Sequence, residues 1–308
     1  IRRRVRRRNW FSLDALQEML HDSAMIFADT SEGRERAMER EQLQAAVGHA
    51  IATVPEKDRL ALVLRDIEGL AYEEISQVLG VPGGRVGASA LWDYYQGNPA
   101  VQKEWSTVKV LTTFSSGTQF VNTAKKPVRT LQDIRGQKIR VTGWGCTNFI
   151  KSVGGNPIGM SPPEMYDGIS KGVIDGMVFD WQGIQSSRLY EVLSYATYSP
   201  LVQVPQFLAL NLDRWNSFPP DVQKVFEEVG AKFGAQMLGG AFDEADPIGE
   251  ENFKKLGKEV IKLSAEEQAK WQAAAKPIWT DWVALMKSKG LDGQTALDQI
   301  QQAIAKNK

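Results

Sequence analysis

Apolar positions recur at helical spacing early in the chain and gather into short unbroken runs further on. Leu43, Ala46, Val47, Ala50 and Ile51 share one helical face. Val54-Pro55 stops that stretch and opens another, whose face is Leu60, Val63, Leu64 and Ile67, with Gly69 as its C-terminal cap. Residues 72–79 read as a short amphipathic helix, Gly80-Val81-Pro82 as a tight turn, and residues 83–86 as the start of a second helix. That spacing fits either a helix-turn-helix or any other small helical bundle.

Beyond Val86 the pattern changes, and Gly, Asn, Pro and aromatic residues become frequent. Residues 108–111, 138–141, 157–160, 173–179 and 207–211 read as strands. Helices are expected over 163–171, 219–239, 250–256, 277–288 and 295–306. Another opens at the N-cap Ser264 and runs toward Ala275. The alternation of strand and helix predicts an α/β unit with a parallel sheet.

Charge and composition narrow the chemistry. The 308 residues carry no net charge, so no whole-chain field draws the protein to nucleic acid or membrane. Six arginines nevertheless crowd the start, at Arg2, Arg3, Arg4, Arg6, Arg7 and Arg8, either as phosphate contacts or as a solvated basic end. A single cysteine, Cys146, excludes an internal disulfide. Both histidines, His21 and His49, precede residue 50, so Ser186, Ser187 and Asp175 have no histidine nearby in sequence with which to build a triad. Ser115-Ser116-Gly117 and Gly143-Trp144-Gly145 are glycine turns, and neither completes a phosphate-binding loop. No catalytic residue, metal or cofactor is expected. No apolar run reaches the ~18 residues of a membrane helix, and no apolar region follows the arginines as a secretory leader requires.

Two family resemblances add to this reading. The stretch AIATVPEKDRLALVLRDIEGLAYEEISQVLGVPGG resembles region four of an extracytoplasmic-function RNA polymerase sigma factor. IRRRVRRR…SLDAL resembles the end of region two and the linker that follows it. The resemblance implies DNA and core RNA polymerase as partners, with Tyr72 and Arg85 as the DNA-facing positions. It breaks after Val86, where Gly87-Ala88-Ser89-Ala90-Leu91-Trp92-Asp93 replaces the basic recognition helix.

ALWDYYQGNPAVQKEW, NTAKKPVRTLQDIRGQKIRVTG, GNPIGMSPPEMYDGISKGVIDGMVFDW and FLALNLDRWNSFPPDVQKVFEEVG then occur in order. Together they resemble the DctP-type solute receptor of TRAP transporters, whose two α/β lobes close on an organic acid for a membrane permease. In that family the arginine of the KIRV motif binds the ligand carboxylate, and the matching residue is Arg140. Without the resemblance, a structural ion pair with Asp175 or Asp180 is the simpler role for it. Gln119 falls near the family's second arginine, and Asn211 matches the asparagine of its MN strand. Phe179 and Trp181 are candidates to line the cleft or to pack in the core, and Trp144 lies where a ligand passes.

The fold expected is therefore mixed. A basic start and linker (1–38) and an all-α, helix-turn-helix-like fragment (39–86) precede a two-lobed periplasmic-binding-protein-like domain (87–308) whose first lobe is incomplete. Such a receptor is periplasmic. Without a leader, the chain as given is expected to remain in the cytoplasm.

Overall fold

The structure is a computed structural model, and it describes residues 63–64 and 83–308. Tyr72 and nearly all of the helix-turn-helix fragment lie outside the described residues. In chain order the elements begin with β1 (Val63–Leu64), α1 (Gly84–Gly97) and α2 (Pro99–Glu104). There follow β2 (Val108–Ser115), β3 (Gln119–Thr123), β4 (Lys138–Val141), α3 (Trp144–Ser152), β5 (Asn156–Gly159) and α4 (Pro162–Ser170). Next come β6 (Gly176–Phe179), α5 (Trp181–Ser186), β7 (Tyr195–Val202), β8 (Pro205–Asn211), α6 (Leu212–Asn216) and α7 (Pro220–Val229). The chain ends with α8 (Ala231–Lys255), β9 (Glu259–Lys262), α9 (Ala265–Ser288) and α10 (Gly293–Asn307).

The described residues fall into two units. The smaller holds residues 63–64, 105–111 and 208–229. There β1 pairs antiparallel with β8, Val63 opposite Ala209 and Leu64 opposite Leu208. The spacing predicts a helical face through Val63 and Leu64, so this is a correction. A run such as Ala-Leu-Val-Leu is locally ambiguous, and β8 offers backbone hydrogen bonds that a helix would leave unused. Leu111, Leu210 and Trp215 are buried at the centre of this unit, ringed by Leu208, Leu212, Phe218 and Phe226.

The larger unit holds residues 83–104, 112–207 and 230–308. Its sheet runs β5-β4-β6-β3-β7-β9. β4 is parallel to β5 and β6, and β7 to β9, whereas β3 runs antiparallel to both β6 and β7. The expected parallel sheet is thus a mixed one, because β3 enters through a segment with no helical crossover signal.

Strand periodicity sorts the core into two layers. Val121, Ile139, Val141 and Val178 face one layer, with Phe149 and Ile150 of α3 and Trp271 of α9. Phe120, Met177 and Ala196 face the other, with Met165 and Ile169 of α4, Trp181 and Ile184 of α5, and Phe253 of α8.

Three helical boundaries differ from expectation. The stretch 219–239 is two helices, because Gly230 and a left-handed Ala231 (φ 48°) interrupt it. α8 instead continues through 250–255 despite Pro247, which removes only one amide bond from a 25-residue helix. α9 likewise passes through Pro277, because Trp271, Ile278, Trp282 and Met286 bury a single face.

α1 crosses the position where the two sequence patterns meet. It begins at Gly84, buries Gly84, Gly87, Ala88, Ser89, Ala90, Leu91 and Tyr94, and packs against α8 and α10. Residues 84–86 therefore lie in one helix with residues 87–97, the first described helix of the larger unit.

Candidate functional site

Arg140 lies between Ile139 and Val141 on β4, so alternation turns it to the opposite face from them. That is the face of Met177, which pairs with it across the ladder. Arg140 is 5% exposed. Its Nε donates to the Met160 carbonyl at 3.0 Å, which fixes the plane of the guanidinium. Its Cζ stands 5.6 Å from the centroid of the half-buried Phe179 ring, within cation–π range. Phe179 itself is held by the sheet, because Asn122 on β3 donates to the carbonyls of Phe120 (2.9 Å) and Phe179 (3.1 Å). Asp175 is engaged elsewhere, accepting the Lys138 amide at 2.8 Å.

Gln119 is buried at the start of β3 and hydrogen-bonds the carboxylate of Asp180. Asp180 caps α5 by accepting the Gly183 amide at 2.8 Å. Burial pushes the Asp180 carboxyl up to about 6, although the Gly183 and Gln119 hydrogen bonds and the charge of Arg140 pull it down. A second acid stands close by on α8. Burial and the charges of Asp180, Asp243 and Glu250 push Asp246 up to about 7. A Cβ on Gly117 would lie 3.3 Å from Asp246 Oδ1 and 3.4 Å from Asp180 Cβ, so the two acids flank that turn.

The structure thus brings Arg140, Gln119 and Phe179 together around Asp180. Trp144 opens α3 just after the arginine strand and is half-buried. Cys146, in the first turn of that helix, is buried, and burial pushes its thiol up to about 12. Trp181 is in the core: it is 0% exposed, 4.7 Å from the Phe120 ring and 5.5 Å from that of Phe253. Asn211 belongs to the smaller unit, where its side chain caps α6 by accepting the Arg214 amide at 3.0 Å. Arg85 is exposed on α1 and pairs weakly with Glu244 at 4.0 Å. The sequence reading missed Asn122, Asp246 and Gly183. Asn122 opens the NTAKKPV motif without a role read for it, Gly183 and Asp246 stand in no motif, and Asp246 comes to the site from α8, 66 positions beyond Asp180.

The buried guanidinium beside an aromatic ring thus sits on an inner strand of a mixed α/β sheet. The chain belongs to the family described as bacterial extracellular solute-binding protein, family 7, whose model matches residues 92–284. Members are solute-binding proteins and not enzymes, and the family is periplasmic. A second model, Sigma-70 region 4, matches residues 44–88.

Among curated relatives, the C4-dicarboxylate-binding periplasmic protein DctP of Vibrio cholerae is 26% identical over 161 residues, 51% of this chain and 47% of that protein. A solute-binding protein of Chromohalobacter salexigens is 25% identical over 175 residues, 56% of this chain and 51% of its own. The chain spans only 35% to 51% of the length of the curated relatives it matches first. Its fold is that of a TRAP solute-binding protein from Rhodoferax ferrireducens, solved with copurified benzoate (TM-score 0.74, 23% identity, 77% of this chain and 75% of that one). A counterpart from Bordetella bronchiseptica, solved with (R)- and (S)-mandelate, gives a TM-score of 0.72 at 24% identity, covering 80% and 79%. No helix among the described residues is long and apolar enough to cross a membrane.

Proposed function

We propose that this chain is the receptor of a TRAP-type uptake system for an aromatic carboxylate, held through Arg140. The observation that carries the proposal is the buried Arg140 guanidinium facing the Phe179 ring. A guanidinium presents a planar fork of donors that matches a carboxylate, and burial strengthens the pair by excluding water. In this reading the Met160 carbonyl orients the guanidinium, which receives the acid. Phe179 covers the ligand's apolar body. The benzoate and mandelate of the structural neighbours are of that class. The partners implied are the membrane permease subunits of the system.

Transcription initiation is not favoured. α1 begins inside the sigma-like match, yet its residues 87–91 are buried within the larger unit, where no DNA groove can reach them. Calorimetric titration with benzoate, mandelate and succinate tests the proposal. Binding of the aromatic acids that disappears in Arg140→Ala is expected. A parent chain that binds none of them overturns it.

A further inference from the structure

The Phe179 ring has a second neighbour besides Arg140. A Cβ on Gly183 would lie 2.2 Å from Phe179 Cε1 and 2.5 Å from its Cζ. No real side chain tolerates that approach, so the ring occupies the space that an alanine at 183 would fill. The position of Gly183 is itself held from two sides. Its amide donates to Asp180 at 2.8 Å. Two residues before it, Trp181 is anchored under Phe120 and Phe253, with the Gly249 backbone so close that a Cβ there would lie 2.7 Å from Trp181 Cβ. The α5 backbone therefore cannot retreat, and any added atom at 183 must move the ring.

We propose that Gly183 is a positioning residue of the ligand site, whose missing side chain lets the Phe179 ring lie against α5 and face Arg140, and so sets the preference for aromatic acids. This inference rests on the reading of Arg140 and Phe179 given above. The ring has one backbone hinge at Phe179, and the only way out of a clash with residue 183 is rotation away from α5. Such a rotation changes the distance to Arg140 and the surface offered to a flat ligand. An aliphatic acid, which needs the guanidinium but not the ring, loses less.

The test is a double-mutant cycle with the full chain: parent, Gly183→Ala, Phe179→Ala and the pair together, each titrated with benzoate and succinate. Gly183→Ala should weaken benzoate about tenfold while changing succinate less than about threefold. In the Phe179→Ala background the same substitution should change neither, because the ring it displaces is gone. Equal losses for both acids, or an undiminished effect of Gly183→Ala without the ring, overturns the inference. Should Gly183→Ala alone not fold, recovery of folding by the added Phe179→Ala supports it, and no recovery overturns it. Arg140→Ala separates the two readings. Loss of both acids there, with unchanged selectivity in Gly183→Ala, overturns this inference alone. A parent that binds neither acid removes both.

Discussion

Gly84 and Gly239 meet backbone to backbone. A Cβ on Gly84 would stand 2.5 Å from the Gly239 carbonyl oxygen, and one on Gly239 would stand 2.4 Å from that of Gly84. Asp243, one turn along α8, accepts the amides of Gly84 and Arg85 and so satisfies two of the orphan donors at the start of α1. The approach is too close for any side chain. Gly239→Val should force the two helices apart and cost about 1–3 kcal/mol, the usual range for overpacking. Thermal denaturation followed by circular dichroism measures it.

Asp93 gathers three elements. It accepts from Lys232 on α8 at 3.0 Å and from Asn307 on α10 at 3.1 Å, and lies 3.1 Å from Lys306. Burial pushes its carboxyl up, but the hydrogen bonds from Asn307, Lys232 and Lys306 outweigh that and hold it below the usual range. A depressed carboxyl contributes stability above its unfolded pKa, which is lost as pH falls through the folded one. Asp93→Asn should therefore lower the melting temperature at neutral pH and make no difference well below pH 4. The lysines are substantially exposed, so the loss at neutral pH should be modest, about 1 kcal/mol.

Asp180 and Asp246 have the opposite sign. Their folded values, about 6 and about 7, lie above the ordinary carboxylate value. Their protonated forms favour the folded state, so that contribution is full below about pH 4 and fades as pH rises through 6 to 7. Asp246→Asn should raise the melting temperature at pH 8 by several degrees, about 2–4 °C per kcal/mol for a unit of this size. It should leave the value at pH 4 nearly unchanged. A melting curve at each pH reads the difference directly.

Arg140→Lys keeps the charge and loses the planar fork, and should weaken acid binding clearly. Arg140→Ala should cost more, on the order of 2–5 kcal/mol, as for one partner removed from a buried charged pair. The two variants, titrated against the tightest-binding acid, give the order.

Cys146 offers a test that needs no ligand. With the thiol pushed up to about 12 by burial, native protein should react with a thiol reagent at pH 8 only as fast as it opens. Denaturant should release one equivalent at once.

Much of the larger unit was legible in the sequence because its signals are local. The KIRV strand appears at the bounds read from the pattern, and Ser264 caps α9 by accepting the Glu267 amide. β3 was missed because Gln119-Phe120-Val121-Asn122-Thr123 mixes buried polar and apolar residues and so shows no alternation. β7 was missed for a similar reason, since a proline interrupts Tyr195–Val202. Arg140 was legible through its motif, and Phe179 through the strand it ends. Asp246 and Gly183 were not, because each acts through an approach between elements distant in sequence or through an absent side chain, and neither leaves a periodic trace.

α8 touches three of these features along one rod. Gly239 and Asp243 grip α1, Asp246 faces Asp180, and Gly249 and Phe253 seat Trp181. From Gly239 to Phe253 the helix rises by about 20 Å. The helix is continuous over that span, Pro247 included, and so links its two ends. The grip on the first helix and the floor beneath the aromatic ring are thus two ends of a single lever. Loosening the glycine contact at Gly84 should therefore be felt at Phe179.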